Sequence, residues 1–209
     1  MKIGVIAANG KAGKLITEEA INRGLDVTAI VRNENKTVAT QSIIKDIFDL
    51  TTEDLTQFDV VVDAFGEIRE DKLYLHQDSI QHLSDILSNT NTRLIIIGGA
   101  GSLYVDDQLE NQLFDTPDFP EVFKPLAKAQ GKALVDLRKR DDVRWTFISP
   151  AVEFIADGER TGEYILAGEV FTLNDKGESK ISYADYAIAL VDEATEGNHI
   201  QERISVLSK

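Results

Sequence analysis

The chain has no cysteine. Disulfides, thiolate zinc sites, iron–sulfur clusters and a cysteine nucleophile are therefore excluded. Histidine is scarce too: three residues, at 76, 82 and 199, leave little for a histidine metal site, and no metal is assigned. Basic residues are outnumbered, 22 Lys and Arg against 36 Asp and Glu, for a formal net charge of −14. Nucleic acid and anionic membrane surfaces both need a positive patch, so neither is expected as a partner. An anionic small ligand feels a local field and stays compatible. No apolar run approaches the length of a bilayer span. Met1–Ala8 runs into a glycine loop with only one lysine before it, unlike a signal peptide, and the expectation is a cytoplasmic protein. No repeat, low-complexity tract or linker divides the 209 residues. A single domain is expected, able to hide roughly 70% of its unfolded surface.

What is present is an alternation of two hydrophobic periods. Lys2–Ala7, Asp26–Val31, Asp59–Val62, Arg93–Ile97 and Trp145–Ile148 read as strands, with Ser42–Ile44 weaker. Residues 11–23, 73–87, 121–140 and 182–196 carry helical spacing, and 52–57 is a short helix at best. Strands apolar on every residue suit a sheet covered on both faces, which means parallel pairing. Their alternation with helices predicts a doubly wound, mostly parallel α/β fold. Ser182 and Asp185 resemble a capping box, and Arg203–Leu207 is a last strand. Between them, 153–180 is rich in glycine and charge and reads as an irregular lobe. With its flanks (151–181) it is taken as a small substrate-side lobe of one 1–209 domain.

Ala7-Ala8-Asn9-Gly10-Lys11-Ala12-Gly13 follows the first strand and opens the first helix, where a Rossmann-type dinucleotide fold puts its phosphate loop. Gly10 leaves room for a pyrophosphate, Gly13 lets the helix pack on the strand, and the helix N-terminus offers N–H donors and partial positive charge. Ala7 stands where G-x-x-G-x-x-G has its first glycine. The second strand ends in Val31-Arg32-Asn33, without the acid that usually binds the ribose of NAD. A guanidinium suits a 2′-phosphate, so NADPH is expected over NADH.

With Gly98–Leu103, Asp115–Pro120, Trp145–Ala151, Gly158–Gly162 and Ile181–Ala187 added, nearly the whole chain resembles the NADH-flavin reductases of the atypical, NmrA-like short-chain dehydrogenase/reductase group, related to biliverdin-IXβ/flavin reductases. The resemblance implies strand order 3-2-1-4-5-6-7 and a cofactor across the C-terminal strand ends. Ala7, Asn9, Gly10, Lys11 and Ala12 would hold the pyrophosphate, and Arg32 would meet the adenosine ribose or its phosphate. Asp46 and Ile47 would flank the adenine. Ala64, Phe65 and Gly66 would line the ribose and nicotinamide. Gly98, Gly99 and Ala100 would form the floor, closed by Ser149 and Pro150.

One departure bears on chemistry. Short-chain dehydrogenases commonly use Tyr-x-x-x-Lys to move the alcohol proton, and no tyrosine here has lysine four residues later. A carbonyl substrate would lack its general acid, whereas a flavin takes hydride at N5 and a proton from water. The expected activity is hydride transfer from NAD(P)H to a free flavin such as FMN or riboflavin, with flavin as substrate and not prosthetic group, in a monomer or homodimer. The alternative is a non-catalytic NADP-binding redox sensor of NmrA-like type; a sugar-nucleotide epimerase is disfavoured by the missing pair. Ser102 and Tyr104 are the substrate-side candidates, each balanced against a packing role. His76 is placed either under the nicotinamide or on a helix surface, while His82 and His199 read as structural. Phe65, Phe114, Phe119 and Phe123 could form a slot for a flat ring. Residues 104–120 read as a lid or a surface loop. Arg160 is left open between an anion anchor and an exposed turn.

Overall fold

The computed structural model describes all residues, 1–209. Its main sheet has eight strands in the order β3-β2-β1-β4-β5-β6-β10-β8. These are β1 (Lys2–Ile6), β2 (Asp26–Val31), β3 (Gln41–Ile44), β4 (Val60–Asp63), β5 (Arg93–Ile97), β6 (Arg144–Pro150), β8 (Ile165–Ala167) and β10 (Glu202–Leu207). Every pairing is parallel except that of β8 on β10. The helices are α1 (Lys11–Asn22), α2 (Thr52–Leu55), α3 (Leu75–Ile86), α4 (Lys124–Leu137) and α5 (Tyr183–Glu196). This is the expected Rossmann-like α/β fold. The implied order 3-2-1-4-5-6-7 holds with β10 as seventh strand, and β8 adds an antiparallel edge beyond it.

Alternation along the strands explains the two layers. Val60 and Val62 of β4 face the core built with Ile16 and Ala20 of α1 and Leu190 and Val191 of α5. Val61 points the other way, to Leu83 of α3, Leu87 at its C-terminal cap, and Leu134 and Leu137 of α4. Asp63 shares the parity of Val61 and so lies on the α3–α4 face.

The lobe is more regular than the sequence suggests. β7 (Glu153–Ile155) pairs in parallel with β9 (Lys180–Ser182) in a two-stranded sheet, and Phe154 stacks 3.9 Å from Tyr183. The capping box is only half formed. Ser182 Oγ accepts from Asp185 N at 3.0 Å, but the Asp185 carboxylate accepts instead from Thr161 N, Thr161 Oγ1 and Gly162 N. It thereby ties the Gly158–Gly162 turn to the start of α5. Residues 104–120 are folded back: Leu113 N donates to Leu103 O and Phe114 N to Gly101 O. Helix α4 starts at Lys124, later than the pattern suggests, with Pro125 in its first turn.

Candidate dinucleotide site

Because β1 to β6 are all parallel, the segments after β1, β2, β3, β4, β5 and β6 emerge along one edge of the sheet. The chain direction of the order reverses between β1 and β4, the crevice where open α/β sheets bind ligands. Ala7–Ala12, Arg32, Asp46–Ile47, Ala64–Gly66, Gly98–Ala100 and Ser149–Pro150 therefore share that edge.

The N-terminus of α1 fits a phosphate on its own observations. Gly10 is the N-cap, no side chain caps the helix, and its first turn holds no acid. A twelve-residue helix with unclaimed N–H groups and no local negative charge favours an anion. Gly10 N donates to Ala7 O at 2.9 Å, which closes the turn. Ala7 has φ of 55°. That left-handed conformation explains why the pattern favours glycine there. It costs an L-residue about 1–2 kcal/mol, while glycine gives back roughly 0.4–1 kcal/mol through the freer unfolded chain. Ala7→Gly is therefore expected to stabilise the protein by about 0.5 kcal/mol, read as a higher urea midpoint; a lower midpoint would show that the turn carries no strain.

Asn9 does not turn its side chain toward the loop's own N–H groups. Its Nδ2 donates to Glu34 O at 2.9 Å and its Oδ1 accepts from Lys36 N at 2.7 Å. Asn9 thus ties the glycine loop to the segment after Arg32. Arg32 is exposed, as are Gly10 and Lys11. At the third strand, Asp46 accepts from Phe48 N at 3.1 Å as the cap of a 3-10 turn. Ile47 is 6% exposed and packs with Ile6, Ile30 and Leu50. Its side chain serves the core.

On the other side of the crevice, Ala64 N donates to Ile6 O at 3.2 Å, and a Cβ added at Gly66 would meet nothing within 4 Å. Gly98 and Gly99 are held close: a Cβ would meet the Phe147 ring at 2.1 Å and Gln130 Oε1 at 2.0 Å respectively. Ala100 O accepts from Leu103 N at 3.0 Å. Ser149 is fully buried and its hydroxyl donates to Gly99 O at 2.9 Å. It acts through the Gly99 loop and does not itself offer a hydroxyl to a ligand. Pro150 is buried beside it and pairs with Val206.

The two substrate-side candidates belong to another cluster. Ser102 is 2% exposed, and its O and Oγ accept from Arg203 Nη1 at 2.8 and 3.1 Å. Tyr104 stacks under the same guanidinium, 5.3 Å from its ring centre. Arg203 also pairs with Glu169. A serine buried and claimed in this way is not open to a substrate, so Ser102 takes the packing role, while Tyr104 is half-buried beside it. Arg160 pairs with Glu19 of α1 at 3.0 Å and is a turn anchor. Phe114 is buried against α4, Phe119 lies beside Gly101, Phe65 is half-buried against His76, and Phe123 is 56% exposed. His82 and His199 bond Leu50 O and the Glu193 carboxylate. His76 is 7% exposed, so it is neither on the helix surface nor open at the crevice; it bonds Glu67 O at 2.8 Å.

One group at this edge escaped the sequence reading. Asp63 ends β4, is 3% exposed, and accepts from Phe65 N at 3.0 Å. Its signal was present in the run Val60-Val61-Val62-Asp63, where an acid closes an all-valine strand at the strand–loop junction. No group of three or more His, Asp or Glu side chains is placed to hold a metal, and no helix is long and apolar enough to cross a membrane.

A family model described as NAD(P)H-binding matches residues 7–196. YwnB of Bacillus subtilis is 47% identical over 212 residues, covering 100% of this chain and 99% of that protein. A crystal structure from Streptococcus pneumoniae, described as that of a putative NADH-flavin reductase, is 60% identical, with TM-score 0.98 and full coverage of both chains. An anaerobilin reductase from Escherichia coli O157:H7 is 17% identical, with TM-score 0.72 over 100% of this chain and 97% of its own; at that identity it shares the fold alone. The glycine loop at the head of α1, the crevice beside it and the match over residues 7–196 agree: this chain belongs to the NAD(P)H-binding family.

Proposed function

We propose that the protein is an NADPH-dependent reductase of a flat, freely diffusing acceptor such as FMN or riboflavin. The observation that carries this reading is the face that α4 turns to the loop after β5. Ala127 lies against Gly101 and Gln130 against Gly99. No tyrosine–lysine pair stands there, so the usual general acid for a carbonyl oxygen is missing. An acceptor that takes its proton from water needs none. The S. pneumoniae relative, with its flavin reductase description, supports the same reading.

In this reading the N-terminus of α1 receives the pyrophosphate through the backbone of Gly10, Lys11 and Ala12, and Arg32 receives the 2′-phosphate. Ala64–Gly66 and Gly98–Ala100 flank the nicotinamide. That ring, when bound, supplies the hydride. The chain contributes binding, orientation and an apolar rim. Ile68, Tyr74, Val122, Phe123 and Val152 are all exposed, on segments that follow β4, β5 and β6, and in this reading they supply apolar surface for an aromatic ring system.

NADPH oxidation in the presence of FMN is expected to exceed the protein-free blank. If FMN, riboflavin and simple quinones all fail while NADPH binds tightly, the reductase reading falls and a non-catalytic NADP sensor takes its place. Arg32→Ala is expected to raise the Michaelis constant for NADPH roughly 10- to 100-fold, the worth of a charge-assisted contact of about 1.5–3 kcal/mol. The constant for NADH should stay within about 2-fold of wild type by the same measure. Equal rises for both cofactors would remove Arg32 from the 2′-phosphate.

A further inference from the structure

The nicotinamide wall of the crevice hangs on two buried titratable groups that the reductase reading does not use. Asp63 holds Phe65 N from below, and His76 Nε2 holds Glu67 O. Since Glu67 O only accepts, Nε2 carries the proton. Phe65 rests edge-on against His76, with ring centres 5.8 Å apart. Asp63 and His76 line one small cavity together with Phe65, Ser79 and Gln130. We propose that Asp63 is a positioning residue, whose uncharged carboxyl seats the Ala64–Gly66 turn for the nicotinamide and makes dinucleotide affinity fall as the acid ionises. This rests on the placement of the nicotinamide beside that turn, and not on the identity of the acceptor.

The surroundings of Asp63 favour the neutral acid. Burial pushes its carboxyl up to about 7, against the single opposing pull of the Phe65 N–H. From β5 and β6 the cavity receives Ile96, Ile97 and Phe147, and from α4 Gln130 and Ala133; none is charged. From α3 it receives His76, Ser79 and Ile80. Burial holds His76 below its ordinary value, so it supplies no counter-charge near neutrality. The nearby Glu67 carboxylate is held well below its usual range by Arg69 and faces no change there. Below pH 7 the acid accepts from Phe65 N without a net charge. Above it, a carboxylate with one N–H partner lies buried with no cation lining its cavity, and the turn must open or admit water to solvate it.

The test is NADPH affinity, read by fluorescence titration of the whole protein between pH 6 and 8.5, with wild type and Asp63→Asn compared as a ratio so that the titration of the nucleotide phosphate cancels. The asparagine keeps the shape and the acceptor for Phe65 N without the charge. Wild-type affinity is expected to fall about 10-fold relative to Asp63→Asn across that range, with the two equal at pH 6. Asp63→Ser, which also offers an acceptor, should track the asparagine variant and stands in if the latter does not fold. A constant ratio across the range overturns the proposal. Gly66→Ala separates the two readings, because a Cβ there meets no protein atom within 4 Å. Weakened NADPH binding there supports the placement of the nicotinamide, and unchanged binding overturns that placement and the proposal with it.

Discussion

Glu193→Ala is expected to cost about 3–5 kcal/mol of folding free energy, the usual loss when one partner of a buried ion pair is removed. Glu193 and Arg93 are 5% and 3% exposed and form an ion pair. Arg93 Nη1 also donates to Glu193 O at 2.7 Å, Nη2 to Thr146 Oγ1 at 2.7 Å, and Nη2 to His199 O at 3.1 Å. His199 closes the ring, with Nδ1 2.6 Å from the Glu193 carboxylate and its backbone N–H donating to the same group at 3.0 Å. Without the carboxylate, a guanidinium stays buried with no counter-charge. For a chain of this size the melting temperature should fall by about 10 °C. A fall of under about 2 °C would show that water reaches Arg93 in solution and the pair adds little.

The pH dependence has a definite sign. Burial pushes the Glu193 carboxyl up, but the hydrogen bonds from His199 and Arg93 together outweigh it and hold the group below its ordinary value. A depressed carboxyl contributes stability that is complete above the unfolded value, near 4.3 for glutamate, and is lost as pH falls through the folded one. The gap between wild type and Glu193→Ala should therefore narrow in acid, below about pH 4. Dinucleotide affinity of the folded variant should not change. Arg93 opens β5, Thr146 lies near the start of β6 and Glu193 lies in the last turn of α5, so the network lies toward the strand starts, while the crevice is at the strand ends.

The central strands were legible because burial on both faces writes itself into the sequence. Asp26–Val31 and Arg93–Ile97 hold to the residue, and the helix from Lys11 ends at Asn22 with Arg23 as its cap. The three-residue strands β7, β8 and β9 were not, since their pairing is set by partners 27 to 42 residues away and not by local periodicity. At the site, the glycine loop carries its own spacing and was readable. Ser102 was not, because the group that claims it, Arg203, is 101 residues distant. Asp63 escaped for a related reason. An acid at the end of a strand reads as the first solvated residue, and only the packing of α3 and α4 over it makes it buried.

The two glycines of the loop should fail in different ways, and the difference separates what the protein needs from what the ligand needs. A Cβ at Gly13 would lie 2.6 Å from Ala7 O and 2.9 Å from Ala8 Cα, both backbone atoms that cannot move without shifting the turn. Gly13→Val must push α1 off the loop. The expected cost is about 3 kcal/mol of stability from overpacking, together with about a 100-fold loss of NADPH affinity, since displacing the N–H groups by about an ångström has that order of effect. At Gly10 the backbone is ordinary, φ −68°, and a Cβ would meet only Ala7 O, at 3.2 Å. That contact yields with a few tenths of an ångström of movement, so Gly10→Ala should stay within about 1 kcal/mol of wild type. If Gly10 is glycine because a pyrophosphate lies against it, Gly10→Ala should nonetheless weaken NADPH binding by about 10-fold or more, since a methyl group then stands between phosphate and backbone. Chemical denaturation and fluorescence titration on the same two variants distinguish the cases. Unchanged affinity in Gly10→Ala would mean that the phosphates do not reach the head of α1, and the dinucleotide would have to lie elsewhere along the strand ends.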